Sequence, residues 1–190
     1  MECSGVIYDT INCAINRTTT DCTSLKLVFS NSSLQTQKLA KKFLEKLKGK
    51  NLICLYGQLG SGKTTFVQGL AKALGVKKRV VSPTFILLRE YEVTSHQSPV
   101  ARKENSWELE TGGWQRLTHL DCYRIESEQD LKSFDLKELW EDKKNLVVIE
   151  WAEKLKKILP KERIDIKFEY VGRNKRRILI SCQPPVSSYQ

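Results

Sequence analysis

The residues best able to do chemistry are Gly57-Gln58-Leu59-Gly60-Ser61-Gly62-Lys63-Thr64-Thr65. Their spacing fits G-x-x-x-x-G-K-[ST] at Gly57, Gly62, Lys63 and Thr64. Glycines let such a loop turn its N–H groups toward phosphate oxygens without a Cβ in the way. A helix starting there adds unpaired N–H groups and the positive end of its dipole. Lys63 is then the cation that bridges β- and γ-phosphates, and the Thr64 hydroxyl is a ligand for Mg²⁺.

Two acids could complete a metal and water site. Asp121 closes Leu117-Thr118-His119-Leu120-Asp121, and Glu150 closes Leu146-Val147-Val148-Ile149-Glu150. Both stand at the C-terminal ends of apolar runs, the end where open α/β sheets bind ligands. Glu150 is the better Walker B candidate, holding Mg²⁺ directly or through water. Asp121 shares the metal or orients an attacking water. Either acid could instead cap its strand or pair with a base such as Arg124. Ser82-Pro83-Thr84 is a hydroxyl-bearing turn of the kind whose Thr senses a γ-phosphate. His119, alone on its strand, reads as structural.

The elements that must position these residues follow from pattern. Leu52–Tyr56 is an apolar run with the length of a buried parallel strand. Apolar residues from Phe66 to Leu74 make a helical stripe, with Gly75 at its C-terminus. Leu25–Phe29 reads as a first strand. Ser32 and Gln35 form a capping box for a helix to about Leu47, with Leu39, Ala40, Phe43, Leu44 and Leu47 inward and Gly49 ending it. Phe85–Glu92, 117–123 and 146–150 are further strands. Ser127 with Asp130 and Asp135 with Glu138 open two short helices, and Trp151–Leu159 is a third. Ile164–Val171 and Arg177–Cys182 alternate as a hairpin turning at 172–174.

The expected fold is α/β: one P-loop NTPase domain, with a mostly parallel central sheet flanked by helices and a C-terminal antiparallel hairpin. The domain spans 25–182. Residues 1–24 read as a poorly ordered extension, 94–116 as a surface insertion with Trp107 and Trp114 tucked onto the body, and 183–190 as a tail.

Composition narrows the class. No apolar run approaches the roughly 20 residues that span a bilayer. The chain opens without a secretory pattern, so a cytoplasmic protein is expected. Six cysteines at 3, 13, 22, 54, 122 and 182 show no zinc or redox spacing. Cys54 and Cys122 fall in apolar runs and read as core thiols. The excess of 32 Lys and Arg over 22 Asp and Glu favours an acidic partner without naming one. The chain has no Asn-Lys-x-Asp for guanine and no Gly after Asp121, which favours ATP over GTP. It also lacks the Leu-Ser-Gly-Gly-Gln of transporter ATPases.

The blocks L-Y-G-x-L-G-S-G-K-T-T-F (55–66), V-S-P-T-F-x-L (81–87), H-L-D-C-Y-R (119–124) and V-I-E-W-A-E (148–153) resemble the TsaE family. The resemblance runs from about Leu25 to Ile180. It implies a P-loop ATPase of tRNA threonylcarbamoyladenosine biosynthesis that binds ATP and Mg²⁺ and resets the TsaB–TsaD complex between turnovers. By that resemblance Gly57, Leu59, Gly60, Ser61, Gly62, Lys63, Thr64, Thr65, Thr84 and Trp151 hold nucleotide. Thr64 and Glu150 hold Mg²⁺, and Lys63, Asp121 and Glu150 serve catalysis. Turnover is expected to be slow alone and stimulated by partners, with tRNA contact direct or indirect and no membrane contact. Gln58 stands where the family usually has an acid, and Cys122 where it has Leu. A small-molecule kinase and a non-hydrolysing nucleotide module are the competing readings. The kinase would need a lid, which Arg173, Lys175, Arg176 and Arg177 mimic from a hairpin.

Overall fold

Leu52–Tyr56 forms β2, and its neighbours on both sides explain why it is apolar at every position. Ile53 and Leu55 pack into the cluster under two helices, while Leu52 and Cys54 pack into a second cluster on the opposite face. The computed structural model describes residues 26–47, 50–83, 87–94, 113–131 and 134–181. The segments 1–24 and 183–190, and most of 94–116, lie outside the described residues, as do Gly49 and Trp107.

Seven strands make one sheet: β1 (Lys26–Ser30), β2, β3 (Leu88–Glu92), β4 (Arg116–Asp121), β5 (Asn145–Glu150), β6 (Ile164–Tyr170) and β7 (Arg176–Ser181). Their spatial order is β1-β7-β6-β2-β5-β4-β3. The sheet departs from the mostly parallel expectation. Only β6–β2, β2–β5 and β5–β4 pair parallel. The β1–β7, β7–β6 and β4–β3 pairings are antiparallel. The parallel strands are those buried on both faces, and antiparallel strands cover their edges. The hairpin of β6 and β7 was legible in the alternation. The pairing of β1 with β7 was not, because a β1 pattern does not specify its partner.

Helix α1 (Ser33–Leu44) begins as the capping box predicts. Ser32 Oγ accepts from the Gln35 N–H at 3.2 Å, and Gln35 Oε1 accepts from the Asn31 N–H at 2.7 Å. The helix stops three residues short of Leu47, which is still buried because a tight turn carries it inward through a bond to the Leu44 carbonyl. Helix α2 (Lys63–Ala73) lies beside α1. A Cβ on Gly69 would come within 2.7 Å of the Gln37 backbone and 2.8 Å of the Ala40 Cβ, so only glycine permits this approach.

On the other face, Asp135 Oδ1 accepts from the Glu138 N–H at 3.1 Å and caps the short α3 (Leu136–Glu141). A one-turn 3₁₀ helix at Glu128–Leu131 contains Asp130, whose carboxylate accepts from the N–H groups of Glu126 and Ser127 just ahead of it. The predicted 151–159 helix is a 3₁₀ turn at Ala152–Leu155 only, and Trp151, with a left-handed φ of 58°, stands outside it as the N-cap. Strand β3 begins at Leu88, after Leu87 with φ 59°, and Phe85 lies outside the described residues. Trp114 is buried, as the tucked reading expected, and Arg116 already belongs to β4, so the surface insertion ends earlier than 116. Cys54 and Cys122 are free buried thiols. Burial pushes the Cys122 thiol up to about 12. Among the described residues no helix is long and apolar enough to cross a membrane.

Candidate functional site

Strand β2 ends at Tyr56, and the loop to α2 lies over its C-terminal end. Gly57 has φ 133°, and a Cβ there would sit 2.3 Å from the Phe168 carbonyl oxygen, so the loop's first glycine is required by β6. The Ser61 N–H bonds the Gln58 carbonyl at 3.2 Å, closing the turn. Gly62 is the N-cap of α2 with φ 105°, and no side chain caps the helix. The first N–H groups of α2 are therefore left for an anion. Among the described residues Ser61 Oγ, buried beside them, has no hydrogen-bond partner.

Lys63 is 4% exposed. Its Nζ donates to the carbonyls of Gly57 at 2.5 Å and Gln58 at 3.0 Å. It also lies 4.0 Å from the centroid of the Trp151 ring. Burial lowers the Lys63 pKa from the usual lysine range, while Glu150, Glu153 and Asp121 oppose that shift by their charge. Trp151 in turn packs against Tyr123, with the ring centroids 5.1 Å apart and the planes tilted by 50°.

The two strand-end acids meet. Asp121 and Glu150 are register partners on β4 and β5. Glu150 is 2% exposed, and its Oε2 accepts from the Thr64 hydroxyl at 3.0 Å. Asp121 accepts from the Ser82 hydroxyl and, through Oδ1, from the Tyr123 N–H at 3.0 Å. One small region thus holds a lysine-bearing loop, a helix N-terminus, two carboxylates and the hydroxyls of Ser61, Thr64 and Ser82. Among the described residues no three His, Cys, Asp or Glu side chains gather as metal ligands. A hydroxyl with one carboxylate suits a magnesium ion that takes its other oxygens from phosphate and water.

A family model described as "Threonylcarbamoyl adenosine biosynthesis protein TsaE" matches residues 30–178. The chain belongs to the TsaE family. The Aquifex aeolicus tRNA threonylcarbamoyladenosine biosynthesis protein TsaE is 37% identical over 158 residues, covering 82% of this chain and 96% of the relative. The Bacillus subtilis protein of the same name is 31% identical over 148 residues, covering 78% and 80%. The crystal structure of Bacillus subtilis YdiB shares the fold, with a TM-score of 0.61 and 24% identity over 87% of this chain and 90% of that one.

In this TsaE-family fold, the residues of the Gly57–Thr65 loop, Asp121, Glu150 and Trp151 come together. Leu59 is 73% exposed at the loop tip and does not turn inward. Thr84 lies outside the described residues, while its neighbour Ser82 reaches Asp121. Two contributors were missed. His119, read as structural, has Nε2 2.9 Å from Glu150 Oε1. Its signal was the His119-x-Asp121 spacing, which puts both side chains on one face of β4. Arg176, in the cluster read as a possible lid, donates to the Gly60 carbonyl at 3.3 Å and lies 3.8 Å over the Tyr170 ring. No local pattern ties Arg176 to Gly60. The link comes from β6 lying beside β2.

Proposed function

We propose that this chain is a magnesium-dependent ATPase that acts with the TsaB–TsaD pair in forming threonylcarbamoyladenosine on tRNA. The biosynthetic role rests on the family and on the names its relatives carry. The ATPase reading rests on one observation above all: Thr64, at the start of α2, donates its hydroxyl proton to Glu150. That donation leaves the hydroxyl's lone pairs for a cation and orients them. The residues present therefore fit magnesium, with Thr64 and Glu150 holding it, Glu150 directly or through water.

In this reading the Gly57–Thr65 loop and the free N–H groups of α2 hold the phosphates. Lys63 gives up its loop carbonyls to contact them. Asp121, held by the Ser82 hydroxyl and the Tyr123 N–H, orients the attacking water. Bound magnesium would neutralise charge on the β- and γ-phosphates. Trp151 lies against the bound nucleotide and limits water around Lys63. With the metal ligands in place, hydrolysis is slow until a partner completes the site.

Calorimetry with Mg-ATP tests the binding half. Lys63→Ala should weaken binding by about 2–5 kcal/mol, and unchanged affinity overturns the assignment. Turnover with and without TsaB–TsaD tests the rest. Slow hydrolysis alone and more modified tRNA over many cycles are expected. Fast hydrolysis alone, or no effect on multi-cycle product, defeats the reading.

A further inference from the structure

His119 is fully buried on β4, two residues before Asp121, and its ring reaches across to β5. A carboxylate only accepts hydrogen bonds, so the 2.9 Å contact with Glu150 Oε1 is a donation from His119 Nε2–H. Glu150 Oε2 takes the Thr64 hydroxyl at 3.0 Å. The carboxylate is thus held by one donor from α2 and one from the sheet, one on each oxygen.

Among the described residues the other ring nitrogen, His119 Nδ1, is buried without a partner. A histidine kept only for packing or for a polar core network would satisfy both nitrogens, or would be replaced by an apolar side chain at no loss. Here the ring leaves Nδ1 unsatisfied and keeps the bond to Glu150. The strand neighbours of Glu150 on this face offer no other donor: Leu55 and Val148 are apolar and Asp121 is itself an acid.

We propose that His119 is a positioning residue for Glu150, fixing the carboxylate so that it meets a Thr64-bound magnesium in one orientation. This inference rests on the proposed function. Thr64 serves both the carboxylate and the metal, whereas His119 serves the carboxylate alone and stays constant as the site fills. Support of this kind typically changes metal affinity or activity by about 10–100-fold.

The test is a magnesium titration of the full chain with a non-hydrolysable ATP analogue, followed by calorimetry, with binding of the same analogue in EDTA as the control. His119→Phe fills the ring volume and removes the donor. It should raise the magnesium concentration for half-saturation by about 10–100-fold, and leave analogue binding in EDTA unchanged. His119→Gln returns an N–H donor at similar reach and should restore the wild-type requirement to within a few fold. His119→Asn carries its amide too close to the strand to reach Glu150, and should behave like Phe. An unaltered requirement in His119→Phe overturns the inference. Should that variant fail to fold, equal requirements in His119→Gln and His119→Asn overturn it instead. A wild-type titration with no magnesium dependence overturns the proposed function and this inference with it. A normal wild-type titration with unaffected variants overturns the inference alone.

Discussion

Glu150 supports the fold as well as the proposed chemistry. Its carboxylate is the acceptor for a fully buried imidazole and for the Thr64 hydroxyl. Glu150→Ala would strand the His119 Nε2–H in the interior, at a cost of about 1–3 kcal/mol. Urea unfolding without nucleotide should show that loss, alongside reduced hydrolysis. Trp151 offers a second measurement. An L-residue with φ 58° and ψ 42° carries strain of about 1–2 kcal/mol, which the ring's contacts with Lys63 and Tyr123 offset. Trp151→Ala loses the ring and keeps the strain, whereas Trp151→Gly loses both. The Gly variant should therefore be the more stable of the two by about 1 kcal/mol, read from denaturation midpoints. Lys63, Thr64, Asp121 and Glu150 were legible because loop motifs and strand-end acids are local. His119 and Arg176 were not, because a cross-strand diagonal and a strand-to-loop contact exist only once the pairing is known.

At the scale of elements, the starts were more legible than the stops. Ser32 and Asp135 cap their helices through the short-range bonds their positions predict. The ends depend on tertiary context: α1 stops at Leu44 although the apolar stripe runs on to Leu47. The α1–α2 contact makes a sharper prediction. Gly69→Ala would push a methyl group against the Gln37 backbone, which cannot move aside as a flexible side chain could. A loss of about 1–3 kcal/mol is expected from such overpacking. Because α2 begins at Lys63, the wedge should also shift the loop. Calorimetry should then find weaker nucleotide binding in Gly69→Ala than in Gln68→Ala, one position along the same helix.

For the whole molecule, the fold class was visible in the alternation of apolar runs and helical stripes, but the sheet order was not. Pairing partners are set by which edges remain open after each crossover, and that is not written in any one segment. The resulting order puts β2 and β5, the two strands that lead into the loop and to Glu150, in the interior of the sheet. Native-state hydrogen exchange should be slowest at 53–55 and 147–149, and fastest at the edge strands β1 and β3. Equal protection across the sheet would contradict this ranking.

The pairing of Lys26–Ser30 with Arg176–Ser181 also bears on how the protein is made. The first described strand leaves the ribosome almost a full chain length before its partner. In the native sheet β6 and β7 separate it from β2, so its native place beside β7 does not exist until those strands are made. Closing so long a loop is slow, and an unpaired strand edge is prone to aggregate in the meantime. Residues 26–30 are therefore translated first and docked last. A chaperone acting during synthesis would find them open until Ser181 emerges.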